Sequence, residues 1–116
     1  MGRKDKNMSG INVNHGEGQW IQMLDGVRRK NLVVGEKTML CEFELKEGTE
    51  LPLHHHPHEQ TGYLISGSLR FEINGEAVEM KPGDSWCIPG NTEHKVDVLE
   101  NTKLVETFTP VREDFL

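Results

Sequence analysis

The sequence predicts an all-β fold, a small antiparallel β-barrel, from three observations. Apolar and polar residues alternate along short stretches, most clearly over residues 39–45, which is typical of strands with one buried face. Glycine, proline and asparagine recur between these stretches at intervals of roughly 8 to 12 residues, as in β-sandwiches and barrels. No stretch long enough for a helix repeats its apolar residues with the helical period.

The first strands follow a polar arm. Residues 1–18 are polar and glycine-rich and show no apolar period, so we interpret them as a mobile N-terminal arm before a single domain over residues 19–116. A strand pattern begins at Trp20. The alternating residues 39–45 form a half-buried strand, which the Glu47–Gly48 pair ends.

The second half of the chain continues as short strands joined by turns. Tyr63–Ile65 is apolar, and Ser66–Gly67 predicts a turn after it. Asn74–Gly75 favours a two-residue hairpin after the alternating residues 69–73, because both positions tolerate positive φ. Residues 112–116 predict one helical turn or a segment packed across the end of the barrel. Further strands are predicted at 77–80, 86–88, 96–99 and 104–108, with turns between them at 81–84, 89–91 and 100–101.

Composition excludes several classes of partner. The chain of 116 residues has a formal net charge of −6, whereas nucleic acids and anionic membranes favour clustered positive charge. No apolar run approaches the roughly 20 residues of a membrane-spanning helix, and no signal-peptide pattern is present, so we expect a cytoplasmic protein. Cys41 and Cys87 are too few for a disulfide scaffold and predict two reduced thiols in the core.

A histidine cluster carries the chemistry. Four of the six histidines lie within residues 54–60, which read His-His-His-Pro-His-Glu-Gln. Alternate residues of a strand face the same side, so His54 and His56 point together and His55 points away. Two imidazoles about 6 to 7 Å apart along a strand can converge on one cation.

The next ligand is less sharply defined. His58 and Gln60 share the parity of the first two histidines, whereas Glu59 has the opposite parity. His94 follows a turn and begins a later strand that can lie opposite the cluster. A solvated histidine-rich loop gives the same local pattern, so the spacing of the surrounding residues has to decide.

That spacing resembles the two motifs of the cupin superfamily. The first motif is a glycine, a His-x-His pair, an acidic residue and a second glycine; the second is a glycine, Pro-x-Gly, a histidine and an asparagine. Glutamine replaces the acidic residue here, and asparagine and valine replace the last glycine and the asparagine. The matching positions are Gly48, His54, His56, Gln60 and Gly67, then Gly83, Pro89, Asn91, His94 and Val98, and the resemblance covers residues 20–110.

The resemblance implies a metal inside the barrel, held by His54, His56 and His94, with Gln60 as the fourth ligand. A neutral amide leaves a bound divalent ion with its full charge, where glutamate would reduce it. The ion is then a stronger Lewis acid that is retained less tightly. Three imidazoles and an amide suit one divalent zinc, nickel, iron, manganese or copper ion.

A narrower resemblance concerns the histidine run and the tail over residues 108–115. Both are similar to single-domain cupins of the pectin-degradation (KdgF-like) type, which convert cyclic unsaturated monouronates into linear keto-uronates. The resemblance implies that an acidic residue, a phenylalanine and an arginine near the C-terminus serve the site. The candidates are Glu106, Phe108 and Arg112, with glutamate in place of the usual aspartate.

These three residues fit a carboxylated sugar substrate. Strand alternation places Glu106 and Phe108 on one face, and burial would raise the pKa of Glu106 toward neutrality for proton transfer. Arg112 suits a bidentate clamp on a uronate carboxylate. The structural alternatives are a solvent-facing Glu106, a Phe108 that is only core, and an Arg112 that pairs with the tail or another subunit.

Two other functions remain open at this point. Three histidines also hold iron in dioxygenases, and cupins also serve as non-catalytic modules that bind or sense small molecules. The lack of a DNA-binding segment argues against a complete transcription regulator. We expect a homodimer, since the cupins that the chain resembles pair their barrels.

Overall fold

The computed structural model describes residues 10–116, which form eight β-strands and one short 3-10 turn. The strands are β1 (Trp20–Leu24), β2 (Val27–Val34), β3 (Met39–Leu45), β4 (Glu50–His54), β5 (Glu59–Ile73), β6 (Glu76–Met80), β7 (Ser85–Ile88) and β8 (His94–Thr109). The 3-10 turn follows at Glu113–Phe115. Residues 1–9 of the predicted arm lie outside the described part, and the division of the chain at residue 18 stays a prediction.

The strands pair antiparallel in a single sheet, which confirms the all-β prediction. Neighbours along the sheet run β1-β2-β3-β8-β5-β6, while β4 branches from β8 and β7 branches from β5. Within residues 10–116 this order is an open path, so the closed small barrel is not confirmed. No helix in the described part of the chain is long and apolar enough to cross a membrane.

The predicted hairpin and the predicted C-terminal turn are both present in the structure. Asn74 and Gly75 have φ of 50° and 84°, and they join β5 to β6 as the predicted hairpin. The tail also agrees with expectation, because it forms one 3-10 turn and buries Phe115 against the core.

Two predicted turns are wrong, and both are bends inside long strands. Residues 66–67 lie within β5 and residues 100–101 lie within β8, where the pairing register of the two strands shifts. Gly67 has φ of +95°, and a Cβ there would overlap the Asn101 carbonyl. Asparagine and glycine at these positions therefore let both strands bend together instead of ending them.

The core lies on the inner face of the sheet. Alternation in β3 buries Met39, Cys41, Phe43 and Leu45, as the sequence pattern predicts. Both cysteines are free, and Cys41 is buried, but Cys87 is exposed, so its assignment to the core is wrong. The cause is parity: Cys87 lies between the buried Trp86 and Ile88 of β7 and faces outward.

The bend at Gly67 gives a stability prediction. Gly67→Ala should lower the free energy of unfolding by about 1–3 kcal/mol, because alanine there meets both an unfavourable φ and the Asn101 carbonyl. Gly75→Ala is the matched control, since Gly75 also has positive φ but nothing lies within 4 Å of the added methyl group. Urea unfolding measures both variants, and equal losses would contradict a packing role for Gly67.

Candidate functional site

Three histidines converge at one end of the sheet. His54 ends β4 and is paired across the sheet with His94, which begins β8, while His56 lies in the loop after β4. One ligand nitrogen from each of the three lies within 4.8 Å of the others. The ring centroids are 4.1 Å apart for His54 and His94, and 5.2 Å apart for His56 and His94. The structure thus brings together the three predicted imidazoles, and His55 is exposed as expected.

Two loops hold this geometry. The backbone N–H of Asn91 donates to the carbonyl of His56 at 2.7 Å, which ties the histidine loop to the loop before β8. Asn91 has φ of 61°, a conformation that asparagine tolerates better than most residues, and it takes the position of a motif glycine. A Cβ on Gly90 would overlap the Pro57 carbonyl, so the close approach needs glycine.

Backbone carbonyls orient all three rings. The Nδ1 atoms of His54, His56 and His94 lie 2.7, 3.0 and 2.8 Å from the carbonyl oxygens of Pro52, His58 and Thr92. A carbonyl can only accept, so each Nδ1 carries the proton and each Nε2 keeps its lone pair. The buried Nε2 of His56 has no hydrogen-bond partner in the structure. A divalent cation would accept the lone pairs of these Nε2 atoms. Histidines that bind metals are commonly oriented in this way, by a hydrogen bond from the other ring nitrogen.

Burial favours the uncharged form of two of the three imidazoles, those of His56 and His94. Burial lowers the pKa of His94 to about 4, and the positive charges of neighbouring groups act in the same direction. Burial also lowers the pKa of His56, with Arg112 as the next cause. Neutral imidazoles at neutral pH are the form that binds metal.

The chain around the two candidates for the fourth metal ligand, His58 and Gln60, follows a different path from the predicted one. Residues 54–60 do not form one strand, because β4 ends at His54 and β5 begins at Glu59 beyond Pro57. Gln60 is nevertheless buried and faces inward through the parity of β5. Its amide Nε2 donates to Glu106 at 2.6 Å, which leaves the amide oxygen for another partner. His58 is only half-buried, and its ring centroid lies 5.5 Å from that of His56.

Glu106 joins side chains of three neighbouring strands, since it accepts hydrogen bonds from Gln60 of β5 and Trp86 of β7. It is buried, which excludes the solvent-facing alternative, and Oε2 accepts from Gln60 and from Trp86 Nε1 at 2.6 and 2.8 Å. Burial raises the pKa of Glu106, although the two donors and Arg112 oppose the rise. Sequence reasoning missed Trp86 as this donor. The signal was Gly62, which pairs with both residues and whose missing side chain leaves room for the indole.

Phe108 and Arg112 lie nearby. Phe108 is buried next to His56, with ring centroids 6.2 Å apart. The guanidinium carbon of Arg112 lies 5.2 Å from the Phe108 ring, and its Nη2 pairs with Asp114 at 2.8 Å. Arg112 therefore makes the tail ion pair that the sequence offered as an alternative to a ligand contact.

A cavity of about 100 Å³ collects these groups. The three histidines, Gln60, Glu106, Phe108 and Arg112 all line it, together with apolar side chains of the core. A depression of about 740 Å³ lies elsewhere on the surface, among charged residues including Arg28, Glu44 and Lys103. We place the candidate site in the smaller cavity, because only this cavity joins the metal-ligating cluster found among residues 10–116 to a buried acid.

Comparison with known proteins identifies the family. The cupin domain model matches residues 41–108, a segment that contains β4 to β7, most of β3 and β8, and all three histidines. The chain therefore belongs to the cupin family.

Individual relatives agree with this assignment. The pectin degradation protein KdgF of Dickeya dadantii is 34% identical over 102 residues, which cover 86% of this chain and 93% of that protein. The structure of KdgF from Halomonas sp. matches with a TM-score of 0.83 and 29% identity, covering 90% of this chain and 96% of the other. An RmlC-like cupin from Shewanella frigidimarina matches with a TM-score of 0.85 and 25% identity, covering 90% and 95%. The chain is a KdgF-like cupin.

Substitution of single histidines tests the metal site. His54→Ala, His56→Ala and His94→Ala should each lower the metal content of the purified protein strongly, because each removes one imidazole from the convergent set. His55→Ala is the control, since His55 is exposed and lies next to two of the three. Elemental analysis by mass spectrometry measures the ratio of metal to protein, and equal loss from the control would contradict the site.

The fourth ligand is tested separately. Gln60→Ala should weaken metal binding by about 10- to 100-fold, as the loss of a close supporting group commonly does. His58→Ala should change it little, because the ring of His58 stands outside the convergent set. Competition with a chelating dye gives both affinities. Loss of metal from His58→Ala but not from Gln60→Ala would reverse the assignment.

Proposed function

We propose that this cupin is an enzyme that opens a cyclic unsaturated monouronate to its linear keto form. One observation carries the proposal: a buried carboxyl group, Glu106, lies in one small cavity with three convergent imidazoles and the guanidinium of Arg112. The similarity to a pectin degradation protein over most of both chains supports the same substrate class. The small cavity favours a monosaccharide over a chain.

The reaction is an isomerisation in which no atom is gained or lost. The substrate is a hemiacetal whose ring oxygen also belongs to an enol ether. Loss of the anomeric hydroxyl proton forms the C1 aldehyde as the bond from C1 to the ring oxygen breaks. The electron pair stays on that oxygen as an enolate at C5. Protonation at C4 then gives the C5 ketone.

Glu106 is proposed to move the proton. Burial raises the pKa of Glu106 and so favours the protonated carboxyl group, the form that can donate a proton and recover it afterwards. Trp86 and Gln60 both donate to Oε2, so Oε1 is the oxygen left to carry the proton. Glutamate in place of aspartate puts the carboxyl group one methylene further from the strand.

Arg112 and Phe108 are proposed to hold the sugar. The planar guanidinium can pair with the uronate carboxylate through two parallel hydrogen bonds. Phe108 offers an apolar ring beside the imidazoles and excludes water from the reacting carbons.

The proposed cofactor is one divalent transition metal, zinc, nickel, iron, manganese or copper, held by His54, His56 and His94 with Gln60 as fourth ligand. When bound, it would supply Lewis acidity toward a substrate oxygen. We also propose a cytoplasmic homodimer, with a carboxylated sugar as the partner.

Turnover of an unsaturated monouronate tests the proposal. The metal-loaded protein should remove the ultraviolet absorbance of the conjugated double bond, because ring opening and tautomerisation consume that bond. Glu106→Gln should lower kcat by about 10²- to 10⁴-fold, since the amide cannot exchange the proton. Arg112→Met should mainly raise KM.

The controls separate the other functions. Lys95→Met, on an exposed side chain, should react like the wild type. Intact substrate after incubation with the metal-loaded protein would overturn the proposal. Consumption of oxygen in the presence of iron would instead favour a dioxygenase, and tight binding of the sugar without conversion would favour a binding module.

A further inference from the structure

The C-terminal turn is built into the molecule next to the site. Phe115 lies in this turn and is buried, with its ring 5.5 Å from that of Phe108. The turn begins four residues after the end of β8, and Arg112 immediately precedes it. The position of Arg112 beside the cavity therefore depends on how the turn is anchored.

Two inward-facing residues of β2 make that anchor. Arg29 Nη2 and Asn31 Nδ2 both donate to the backbone carbonyl of Phe115, at 3.2 and 2.8 Å. Arg29 Nε also donates to Asn31 Oδ1 at 3.0 Å, which joins the two side chains into one unit. The buried thiol of Cys41 also donates to Asn31 Oδ1, at 3.4 Å. We call Arg29 and Asn31 the β2 clasp.

Arg29 is an unusual residue for this position. It is only 6% exposed, and none of the ion pairs among residues 10–116 gives it a carboxylate partner. A buried guanidinium is costly without compensating contacts. Its compensation here is the Phe115 carbonyl and the Phe115 ring, whose centroid lies 3.8 Å from the guanidinium carbon.

The same ring supports Arg112. The guanidinium carbon of Arg112 lies 4.0 Å from the Phe115 centroid. Its Nε and Nη2 donate to the two carboxylate oxygens of Asp114, at 3.2 and 2.8 Å. Two of the contacts of the Arg112 side chain, including its nearer ring contact, thus belong to the turn that the β2 clasp holds by its Phe115 carbonyl; the third is the more distant Phe108 ring.

We propose that Arg29 and Asn31 are positioning residues that fix Arg112 at the cavity through Phe115 and so determine selectivity for ligands with a carboxylate. The inference rests on the proposed function, in which Arg112 receives that carboxylate.

The charges around the turn support this role. Two guanidiniums contact one ring, while the ion pairs of the described residues give the two of them one carboxylate, Asp114, which pairs with Arg112. Asp114 is exposed, with its side chain 58% accessible. One more anion next to Arg112 is therefore favourable, and a ligand carboxylate in the cavity would provide it.

Calorimetric titration with D-galacturonate and D-galactose tests the inference, because the two sugars differ in the carboxylate. With the metal-loaded protein, Arg29→Met should weaken galacturonate binding by about tenfold, the loss expected for one charge-assisted contact, and leave galactose binding unchanged. Arg28→Met is the matched control. Arg28 is the exposed neighbour on β2 and pairs with Glu44, so both affinities should stay at wild-type values.

Two further variants distinguish positioning from a direct charge effect. Asn31→Leu keeps every charge but removes the bond to the Phe115 carbonyl, so it should reproduce the loss of selectivity. In an Arg112→Met background, Arg29→Met should cause no additional loss, because its effect passes through Arg112. Should Arg29→Met fail to fold, Asn31→Leu and removal of residues 115–116 interrupt the same contacts.

The outcomes are separable from those of the proposed function. Wild-type selectivity in both Arg29→Met and Asn31→Leu overturns this inference alone. An additive loss in the Arg112→Met background, or wild-type selectivity in Asn31→Leu only, also overturns positioning in favour of a direct effect of charge. No preference for galacturonate in the wild type overturns the anion site and the inference with it. Failure to convert an unsaturated uronate overturns only the proposed reaction.

Discussion

The shared bend of β5 and β8 is the constraint on which the site depends. Along this pairing Gln60 lies opposite Phe108 and Ile73 lies opposite His94, and the 13 residue steps from Gln60 to Ile73 would span about 43 Å in a straight strand. Yet His94 and Phe108 line the same cavity. The register shifts around Gly67 fold the strand pair back on itself, so that the beginning and the end of β8 face each other.

The enclosed interior then fixes the protonation of the groups that it holds. Burial acts in opposite directions on acids and bases, and it raises the pKa of Glu106 while it lowers that of His94. Both effects favour the uncharged form. The same interior thus favours neutral imidazoles and a protonated carboxyl group, the forms that suit metal binding and the proposed proton transfer.

Selectivity has a different physical origin. Among the residues that line the cavity, Arg112 is the one that carries a guanidinium, and it reaches the site from the segment that follows the sheet. Such a segment is held only by its contacts with the core. In this protein Phe115 packs against Phe108, and the hydrogen bonds to the Phe115 carbonyl come from Arg29 and Asn31, two polar residues at inward positions of β2. Under the proposed role of Arg112, stability of the turn and recognition of a carboxylate are therefore linked.

The sequence by itself determined most of the strands and the hairpin at Asn74–Gly75, because alternation and turn residues are local properties. It predicted the convergence of three histidines through the resemblance to the cupin motifs. Tertiary structure decided what depends on distant partners. Strand pairing turned Ser66–Gly67 into a bend, Gly62 made room for the Trp86 bond to Glu106, and the open sheet order left barrel closure unconfirmed. The hydrogen bonds from Arg29 and Asn31 to Phe115 join residues that are separated in sequence by 86 and 84 positions. No local pattern records such a separation, since only the folded chain brings the partners within hydrogen-bonding distance.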